Sequence, residues 1–529
     1  MAFLPRRERW GYNAIKPMTI GSRRRIAAVL ALSTALLVSA CSGGDEEQAA
    51  SNELTMMTTL FGTAPDPNGE VQQAVEKLIG KKLKITWVPN AEYGDKTNVT
   101  LASDNIPDVM VVNEKGPGFV KAAEAGAFWD LTGKLDKYPN LKPADEQTAK
   151  NSMTNGKTYG IYRVRPLLRS GIVIRKDWLA KLGLKEPQTT EDLYAVAKAF
   201  TERDPDGNGK KDTYGLIVPK WPGNYASASP YDVVETWFGA PNGWGERDGK
   251  LVPGFDTPEF LEANRWMRKW VTEGLINPDF ATLDTANWND PFVQGKGGMI
   301  IDVNVRATQL LDLFKEKTPK DFDKVTLVGN LKRPDGQKFS YPFTGYNMVM
   351  AISKQHIRTE EQLDQTLQTL DKLASKEGSI LLTNGIEGRN FEVDGEFAVP
   401  INQDDAKVKA IQNDVDKAFI QLGTRASVGL GAYRLKPNDE ASRKMRDRFD
   451  VLMNEDLKTA VFNPALGVVA PTAVSKGQTL DTIIPDARIK YLSGAITEDQ
   501  LKAQIKRWYD SGGTQIAQEV NDLVAKNGG

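Results

Sequence analysis

Cys41 is the feature of this sequence that most constrains how the chain can fold. It is the only cysteine in 529 residues, so neither a disulfide framework nor a thiolate metal site can form. Stability must therefore come from the hydrophobic core. A chain of this length normally divides into two or more lobes, because single cores stop growing at about 250 to 300 residues.

The residues before Cys41 have the pattern of a bacterial lipoprotein signal. Three arginines, Arg23–Arg25, precede an apolar run over Ile26–Val38, and small residues lie directly before the cysteine. The run is too short to span a bilayer comfortably, as is usual in a secretory leader. We predict a signal peptide over residues 1–40, within which 1–17 is a candidate for a misassigned start. Cys41 would carry fatty acyl chains such as palmitate, and the alternative is a coincidental apolar segment that ends in a buried thiol.

The chain that remains after cleavage is acidic. Removing the leader, with its seven basic residues and one acid, leaves 61 basic and 68 acidic residues, a net charge of −7. An acidic exported protein is a poor nucleic-acid binder, so no nucleic-acid partner is expected. Residues 41–53 add mostly small, polar and acidic side chains after the lipid anchor, which is typical of a flexible tether. The predicted location is the extracytoplasmic face of the cell membrane.

From Leu54 onward, strand patterns alternate with helix patterns. Leu54–Met57 is an apolar run of strand length, Glu70–Ile79 has helical periodicity, and Leu83–Val88 alternates like a strand. A further apolar strand is predicted at Pro107–Val112. Alternating units of this kind predict an α/β fold with a largely parallel sheet covered by helices, where ligands collect at the carboxyl ends of the strands.

Several short motifs then resemble the extracellular solute-binding lipoproteins that serve bacterial ABC importers for sugars and oligosaccharides, of the family 1 type that includes the alginate-binding proteins. No motif is decisive alone, but their order along the chain is specific. They are Gly171–Leu184, Phe238–Pro241, Glu273–Pro278, Phe292–Met299, Asn384–Gly388 and Trp508–Gly513.

The resemblance implies a two-lobed, periplasmic-binding-protein-like α/β fold with a hinge and a ligand cleft between the lobes. It also implies a monomer that captures a carbohydrate and delivers it to the membrane permease subunits of an ABC importer. Because the chain of such receptors crosses between lobes, each lobe is discontinuous. We predict one lobe from residues 54–165 plus 340–400, and the other from 166–339 plus 401–529.

An acidic loop carries the sharpest chemical motif. Oxygen-bearing side chains alternate along it with glycine at the sixth position, which matches the first nine positions of a calcium loop. Gly215 stands where the usual bidentate glutamate would be, so a solvated acidic turn remains the alternative. In the alginate-binding relatives such a loop holds a structural calcium. The resemblance implies the same here, through the side chains of Asp204, Asp206, Asn208 and Asp212 and the carbonyl of Lys210.

An enzymatic function is disfavoured by the residues that catalysis would need. His356 is the only histidine and has a polar setting, which argues against a Ser-His-Asp triad and against zinc hydrolysis. A glycosidase that uses two carboxylates stays open, because the mature chain has many acids. A lipoprotein glycosidase acting on oligosaccharides is therefore the second hypothesis, and a surface adhesion or scaffold protein is the third. We predict a binding protein without catalytic residues or an organic cofactor.

Loops that combine aromatic rings with amide, carboxylate or guanidinium groups are the candidates for the cleft. Sugars present apolar C–H faces that stack on rings, and hydroxyl groups that need planar donors and acceptors. Each residue by itself is better explained as surface or core, but about half of the set is expected to line the cleft. The candidates are Trp221, Tyr225, Trp244, Trp288, Asn289, Asp290, Asp302, Arg306, Tyr346, Asn347, Arg389 and Asn390.

Overall fold

The structure is a computed structural model, and it describes residues 52–103, 105–113, 115–143, 145–223, 228–424 and 431–527. The predicted signal peptide, Cys41 and almost all of the predicted tether lie outside these residues, as does Tyr225. The chain divides into two units, Met1–Ala49 and Ala50–Gly529, and the described residues belong to the second. None of the described helices is both long and apolar enough to cross a membrane.

The strands of the described residues are β1 (Glu53–Leu60), β2 (Lys82–Pro89), β3 (Val109–Val112), β4 (Ile161–Val164), β5 (Ser170–Arg175), β6 (Tyr214–Leu216), β7 (Trp244–Arg247), β8 (Lys250–Pro253), β9 (Gly297–Val303), β10 (Val325–Val328), β11 (Tyr346–Ile352), β12 (Phe391–Asp394), β13 (Phe397–Pro400) and β14 (Arg434–Leu435).

The helices of the described residues are α1 (Glu70–Ile79), α2 (Tyr93–Leu101), α3 (Pro117–Glu124), α4 (Glu146–Ser152), α5 (Lys176–Leu182), α6 (Thr190–Glu202), α7 (Pro230–Trp237), α8 (Pro258–Thr272), α9 (Asp290–Val293), α10 (Val305–Lys317), α11 (Glu360–Leu373), α12 (Lys376–Thr383), α13 (Ala406–Lys417), α14 (Glu440–Leu457), α15 (Pro471–Leu480), α16 (Ile483–Leu492), α17 (Glu498–Trp508) and α18 (Thr514–Lys526).

The first sheet has the strand order β2-β1-β3-β11-β4. Strands β1, β2 and β3 are parallel, whereas β11 runs antiparallel to both β3 and β4. Val71 and Val75 of α1 and Leu367 of α11 share a core with Met56 of β1. The carboxyl ends of β1 to β4 and the amino end of β11 therefore meet at one edge of this sheet.

The second sheet has the order β10-β5-β9-β6, with β5 antiparallel to β10 and β9 and with β6 parallel to β9. Neighbouring residues of its strands face two different cores: Ile174 and Met299 pack in one, and Val173 and Ile300 in the other. Because side chains alternate across a strand, this sheet is buried on both faces. Gly298 is required in β9, since a Cβ there would lie 2.2 Å from the ring of Phe200.

Two of the segments in which the chain passes between the sheets run side by side. The first connects β4 to β5 and the second connects β10 to β11. The backbone N–H of Arg165 donates to the carbonyl of Gly345 at 2.7 Å, and the N–H of Phe343 donates to the carbonyl of Leu167 at 2.7 Å. We call these two segments the crossing strands, because they carry the chain from one sheet to the other.

Helix α13 contributes to the core of the first lobe. Its side chains Ile411 and Val415 pack there, together with Phe419 directly after the helix. Helix α14, by contrast, packs on β10 and α10 of the second sheet. The division predicted from the sequence gave all of 401–529 to the second lobe. From the packing of α13, we propose that the chain instead leaves the first lobe after β14.

Candidate functional site

The edges of the two sheets that border the crossing strands form the candidate ligand site. In the second sheet this edge consists of the carboxyl ends of β6, β9 and β10 and the amino end of β5. In the first sheet it consists of the carboxyl ends of the parallel strands and the amino end of β11. We call both together the hinge edge. Parallel strands in α/β folds usually present ligand-binding loops at such an edge.

Five of the sequence-predicted ligand residues meet at the hinge edge of the second sheet. The guanidinium of Arg306 lies 4.1 Å from the centre of the Trp288 ring, and its Nη1 donates to Asn289 Oδ1 at 2.5 Å. Its Nε donates to the Asp302 carboxylate. The rings of Trp221 and Trp288 meet edge to face, with 6.3 Å between their centres. We call these five residues the Arg306 cluster.

The two tryptophans of the Arg306 cluster differ in exposure. Trp288 is 1% exposed and its indole N–H donates to the carbonyl of Ile217 at 3.1 Å, so its ring is part of the core. Trp221 is only partly buried and lies on the loop that follows β6. Asp290, also predicted, is exposed at the start of α9. Within the described part of this cluster, Trp221 is thus the ring that can stack on a ligand, and Trp288 supports it.

Tyr346 and Asn347 lie at the hinge edge of the first sheet, where β11 begins. The ring of Tyr346 lies 6.4 Å from that of Tyr162, and the Nζ atom of Lys115 is 6.0 Å from its centre. Burial raises the pKa of Tyr346 above its usual range, so its hydroxyl is neutral at physiological pH. Asn347 is exposed. Of the two, Asn347 therefore offers the exposed polar group at this edge.

Three arginines, Arg163 in β4 and Arg165 and Arg169 on the first crossing strand, were not among the residues predicted from the sequence. Arg163 is 1% exposed and donates through Nη1 to Gln421 Oε1 at 2.9 Å. The guanidinium of Arg169 lies 4.3 Å from the centre of the Phe343 ring. Burial lowers the pKa of Arg163 to about 9 and that of Arg165 to about 10, and in each case a neighbouring arginine lowers it further. We call these three residues the crossing arginines.

The remaining predicted ligand residues lie apart from the Arg306 cluster. Trp244, on the β7–β8 hairpin, is 6% exposed and packs in the main core of the second lobe. Arg389 is ion-paired with Glu70 and Asp405 at 3.1 and 3.3 Å. Asn390 is 1% exposed, and its amide is held by the backbone of the same loop. Trp244 and Asn390 are therefore structural in this conformation.

The predicted calcium loop connects α6 to β6 and is closed by its own hydrogen bonds. The carboxylate of Asp204 accepts backbone N–H groups of the loop at 2.9 to 3.0 Å, and the Asn208 amide donates to Asp206 at 2.6 Å and to Asp212 at 3.1 Å. The Nζ atom of Lys296 is 2.7 Å from Asp212. Lys210 donates its N–H to the Asn208 side chain at 2.8 Å.

The side chains of the loop converge without forming a cage. The amide of Asn208 contacts both Asp206 and Asp212. Burial raises the pKa of Asp206, and the nearby carboxylates of Asp204 and Asp212 raise it further. Among the described residues, however, no three histidine, cysteine or acidic side chains are arranged so that they could hold a metal. The chemistry of the donor set fits calcium, but its binding stays a prediction.

Comparison with known proteins identifies the family. The sequence profile described as "Bacterial extracellular solute-binding protein" matches residues 65–378, more than half of the chain. The chain belongs to this family. Its members are solute-binding proteins, so the prediction of a binding protein rather than an enzyme is confirmed, and the glycosidase hypothesis has no support.

Curated relatives of this solute-binding protein align over almost its whole length. Lipoprotein LipO of Bacillus subtilis is 40% identical over 495 residues, which cover 92% of this chain and 96% of the relative. The polygalacturonan/rhamnogalacturonan-binding protein YtcQ of the same organism is 33% identical over 507 residues, covering 94% and 98%.

The fold is shared with solved structures of solute-binding proteins. An extracellular solute-binding protein from Bifidobacterium longum subsp. infantis superposes with a TM-score of 0.70 at 19% identity, over 90% of this chain and 98% of the other. The prediction of a two-lobed, periplasmic-binding-protein-like α/β fold is therefore confirmed.

Proposed function

We propose that this protein is a lipid-anchored receptor that captures an oligosaccharide at the hinge edge and delivers it to the permease subunits of an ABC importer. The observation that carries the proposal is the placement of the Arg306 cluster. A partly exposed indole ring and several polar groups lie beside the strands that join the two lobes. The names of relatives support a carbohydrate, since YtcQ is named for two polysaccharides that it binds.

The residues of the hinge edge suit the task of a sugar receptor. Trp221 offers a ring to an apolar sugar face, while Asn289 and Asn347 can exchange hydrogen bonds with hydroxyl groups. Tyr346, whose hydroxyl stays neutral, lies on the other lobe. A ligand that contacts both sides favours closure of the lobes around it, and reopening of the lobes releases it to the importer.

A thermal-shift screen of the mature protein over plant and microbial oligosaccharides tests this function. A ligand that binds only the folded state raises the melting temperature, and the matching monosaccharides serve as controls for nonspecific effects. The oligosaccharide with the largest shift is then titrated calorimetrically and recovered for mass spectrometry. We expect it to be recovered intact. If no carbohydrate shifts the melting temperature, the proposed function is wrong.

The lipid anchor is part of the proposal and rests on the sequence before Cys41, which lies outside the described residues. The name of LipO, a lipoprotein, supports it. Expression of the full chain in a bacterium that is fed labelled palmitate should label the protein and place it in the membrane fraction. A Cys41→Ser variant should lose the label and the membrane association, and persistent labelling of that variant would contradict the assignment.

We also propose that the loop from Asp204 to Asp212 binds a structural calcium ion that takes no part in sugar binding. Its alternating oxygen donors and the contact of Asn208 with two carboxylates support this role. The loop lies between a helix and the amino end of β6, which is the end opposite to the hinge edge. An ion there would hold α6 and β6 together and would leave the sugar untouched.

A further inference from the structure

One aromatic side chain at the hinge edge lies outside the core. Phe61 follows β1 directly and is 53% exposed, whereas every other aromatic side chain that the structure describes is buried or partly buried. A phenylalanine ring left in water forgoes the gain in free energy that burial would bring. Single exposed apolar side chains are common on protein surfaces, so the surroundings of Phe61 decide whether its ring has a task.

The exposure of Phe61 is not that of a loosely held loop. Its N–H donates at 3.0 Å to the carbonyl of Lys417, the last residue of α13. The next residue, Gly62, lies so close to the same helix that a Cβ there would be 2.9 Å from the Cβ of Lys417. Leu60, directly before Phe61, is buried at the end of β1. The ring therefore extends into solvent from a backbone that is anchored on both sides, as a binding surface requires.

On one side, Phe61 has an exposed amide as its neighbour. Strands β1 and β2 pair in parallel with Leu60 opposite Pro89. The next residues, Phe61 and Asn90, therefore leave the sheet side by side. Asn90 is exposed, and its Oδ1 accepts the hydroxyl of Thr59 at 3.2 Å, which holds its amide at this edge.

On the other side, two further amides lie along the same edge. Strand β3, which is parallel to β1, ends at Val112 and is followed by the partly buried Asn113. Val112 pairs with Val349 of β11, and this register places the exposed Asn347 beside the end of β3. The ring of Phe61 thus stands between asparagines on both of its neighbouring strands.

On the basis of the function proposed above, we infer that Phe61 is a second stacking ring, with which the first lobe holds one unit of the captured oligosaccharide. A sugar unit has an apolar C–H face, which stacks on an aromatic ring, and hydroxyl groups around its rim, with which amides can both donate and accept hydrogen bonds. A phenylalanine between asparagines matches both features. Trp221 offers the corresponding ring at the hinge edge of the second lobe, so one sugar chain contacts a ring on each lobe.

Calorimetric titration of the mature protein with cellotetraose, mannotetraose and tetragalacturonate provides the probe, and the tetramer that binds most tightly is used for the variants. If none of the three binds, the oligosaccharide with the largest shift in the thermal-shift screen replaces them. Phe61→Ala should weaken binding of this probe roughly 3- to 10-fold, the value of a stacking contact. Phe61→Trp should retain the affinity, because it keeps an aromatic face.

A variant that keeps an apolar side chain without a ring distinguishes stacking from simple apolar contact. Phe61→Leu should weaken binding as much as Phe61→Ala does, and full affinity of Phe61→Leu would overturn the inference. Asn90→Ala should weaken binding roughly 3- to 10-fold through the loss of a hydrogen bond to a hydroxyl group. The matched control is Val99→Ala, at a side chain on α2 that is 63% exposed, and it should leave the affinity unchanged.

The melting temperature of the ligand-free protein is measured for each variant. Because the ring of Phe61 is exposed, Phe61→Ala should leave this temperature nearly unchanged. A fall as large as that expected for a buried ring would show that Phe61 supports the fold, and would overturn the inference.

The outcomes separate this inference from the proposed function. If the probe binds Phe61→Ala as tightly as the unaltered protein, the inference is wrong while the receptor function stands. The same holds if Phe61→Ala binds the probe normally but cells that carry it no longer take the probe up, since the ring would then contact the permease. If no carbohydrate binds the unaltered protein, the proposed function itself fails.

Discussion

Trp221 and Trp288 touch each other but have different surroundings, so their substitution should have different effects. Trp288→Ala removes a ring that is 1% exposed, and we expect it to lower the free energy of unfolding by about 3–5 kcal/mol. Trp221→Ala should leave that free energy nearly unchanged and weaken ligand binding by roughly 3- to 10-fold, the value of a stacking contact. Denaturant unfolding and calorimetric titration of both variants measure the two quantities. Equal loss of stability in both variants would contradict the assignment.

Arg488 shows how strongly a buried charge can hold two helices together. It is fully buried on α16 and pairs with Asp232 and Glu235 of α7 at 3.2 and 3.1 Å. Arg488→Met should cost about 3–5 kcal/mol, because buried Asp232 and Glu235 lose the guanidinium that they share. The control is Arg265→Met, which removes an exposed arginine paired with Glu498 and should cost about 1 kcal/mol or less. Similar costs for both in denaturant unfolding would contradict this account.

At the residue scale, composition identified the Arg306 cluster but not the crossing arginines. Aromatic and polar residues mixed in loops are a recognisable pattern, and that pattern selected Trp221 and Tyr346, which lie at the hinge edge. The sequence around Trp244 and Asn390 has a similar mixture of residues, yet tertiary packing buries both side chains. An arginine between apolar residues, as in Ile161–Arg169, gives no sign of whether it meets solvent or a cleft. Only the pairing of β4 with β11 provides that information.

At the element scale, hydrophobic periodicity predicted the first lobe well. The predicted helix over Glu70–Ile79 has the observed bounds, and the predicted strands correspond to β1, β2 and β3. Helix boundaries are less accessible: Thr189, rather than the adjacent Thr190, caps α6 by accepting the N–H of Asp192. Two adjacent threonines are equivalent in a sequence pattern, and the backbone angle that selects one of them is a property of the folded chain.

The loop from Asp204 to Asp212 is expected to stabilise the fold through a bound calcium ion. A chelator should lower the melting temperature by several degrees, because an ion bound only by the folded state stabilises it. Affinity for the oligosaccharide at low temperature should stay nearly constant. The double variant Asp206→Asn with Asp212→Asn is the control and should melt at the same temperature with and without chelator. An unchanged melting temperature of the unaltered protein would exclude a bound structural ion.

Loss of sugar binding in step with chelation, in a protein that is still folded, would have a different meaning. It would place the ion in the ligand site rather than in the scaffold. Circular dichroism recorded beside each titration distinguishes this outcome from simple unfolding.

At the scale of the whole molecule, stability should depend on pH through Glu235. Burial raises the pKa of Glu235 to about 8; the nearby Asp232 raises the pKa further, whereas Arg488 and the hydrogen bond from Asn264 lower it. Between pH 4.5 and 8 the folded state would therefore hold a proton that the unfolded chain has released. The contribution to stability is complete below pH 4.5 and declines as the pH rises through 8.

The variant Glu235→Gln isolates this effect, since glutamine does not titrate. The free energy of unfolding of the unaltered protein, measured from pH 5 to 8, should fall more steeply with pH than that of the variant. Parallel curves would show that Glu235 is ionised in the folded state.

Strand β11 has a consequence for the order in which the molecule can assemble. It lies between β3 and β4 in the first sheet, yet all four strands of the second sheet precede it in the chain. Until residues 346–352 have been synthesised, β4 lacks its partner in that sheet and β3 lacks one of its two. Such long-range pairing is slow, because the chain loses the entropy of closing a long loop before the stabilising contacts form. A ribosome-bound fragment that ends before Tyr346 should thus remain sensitive to protease across residues 53–165.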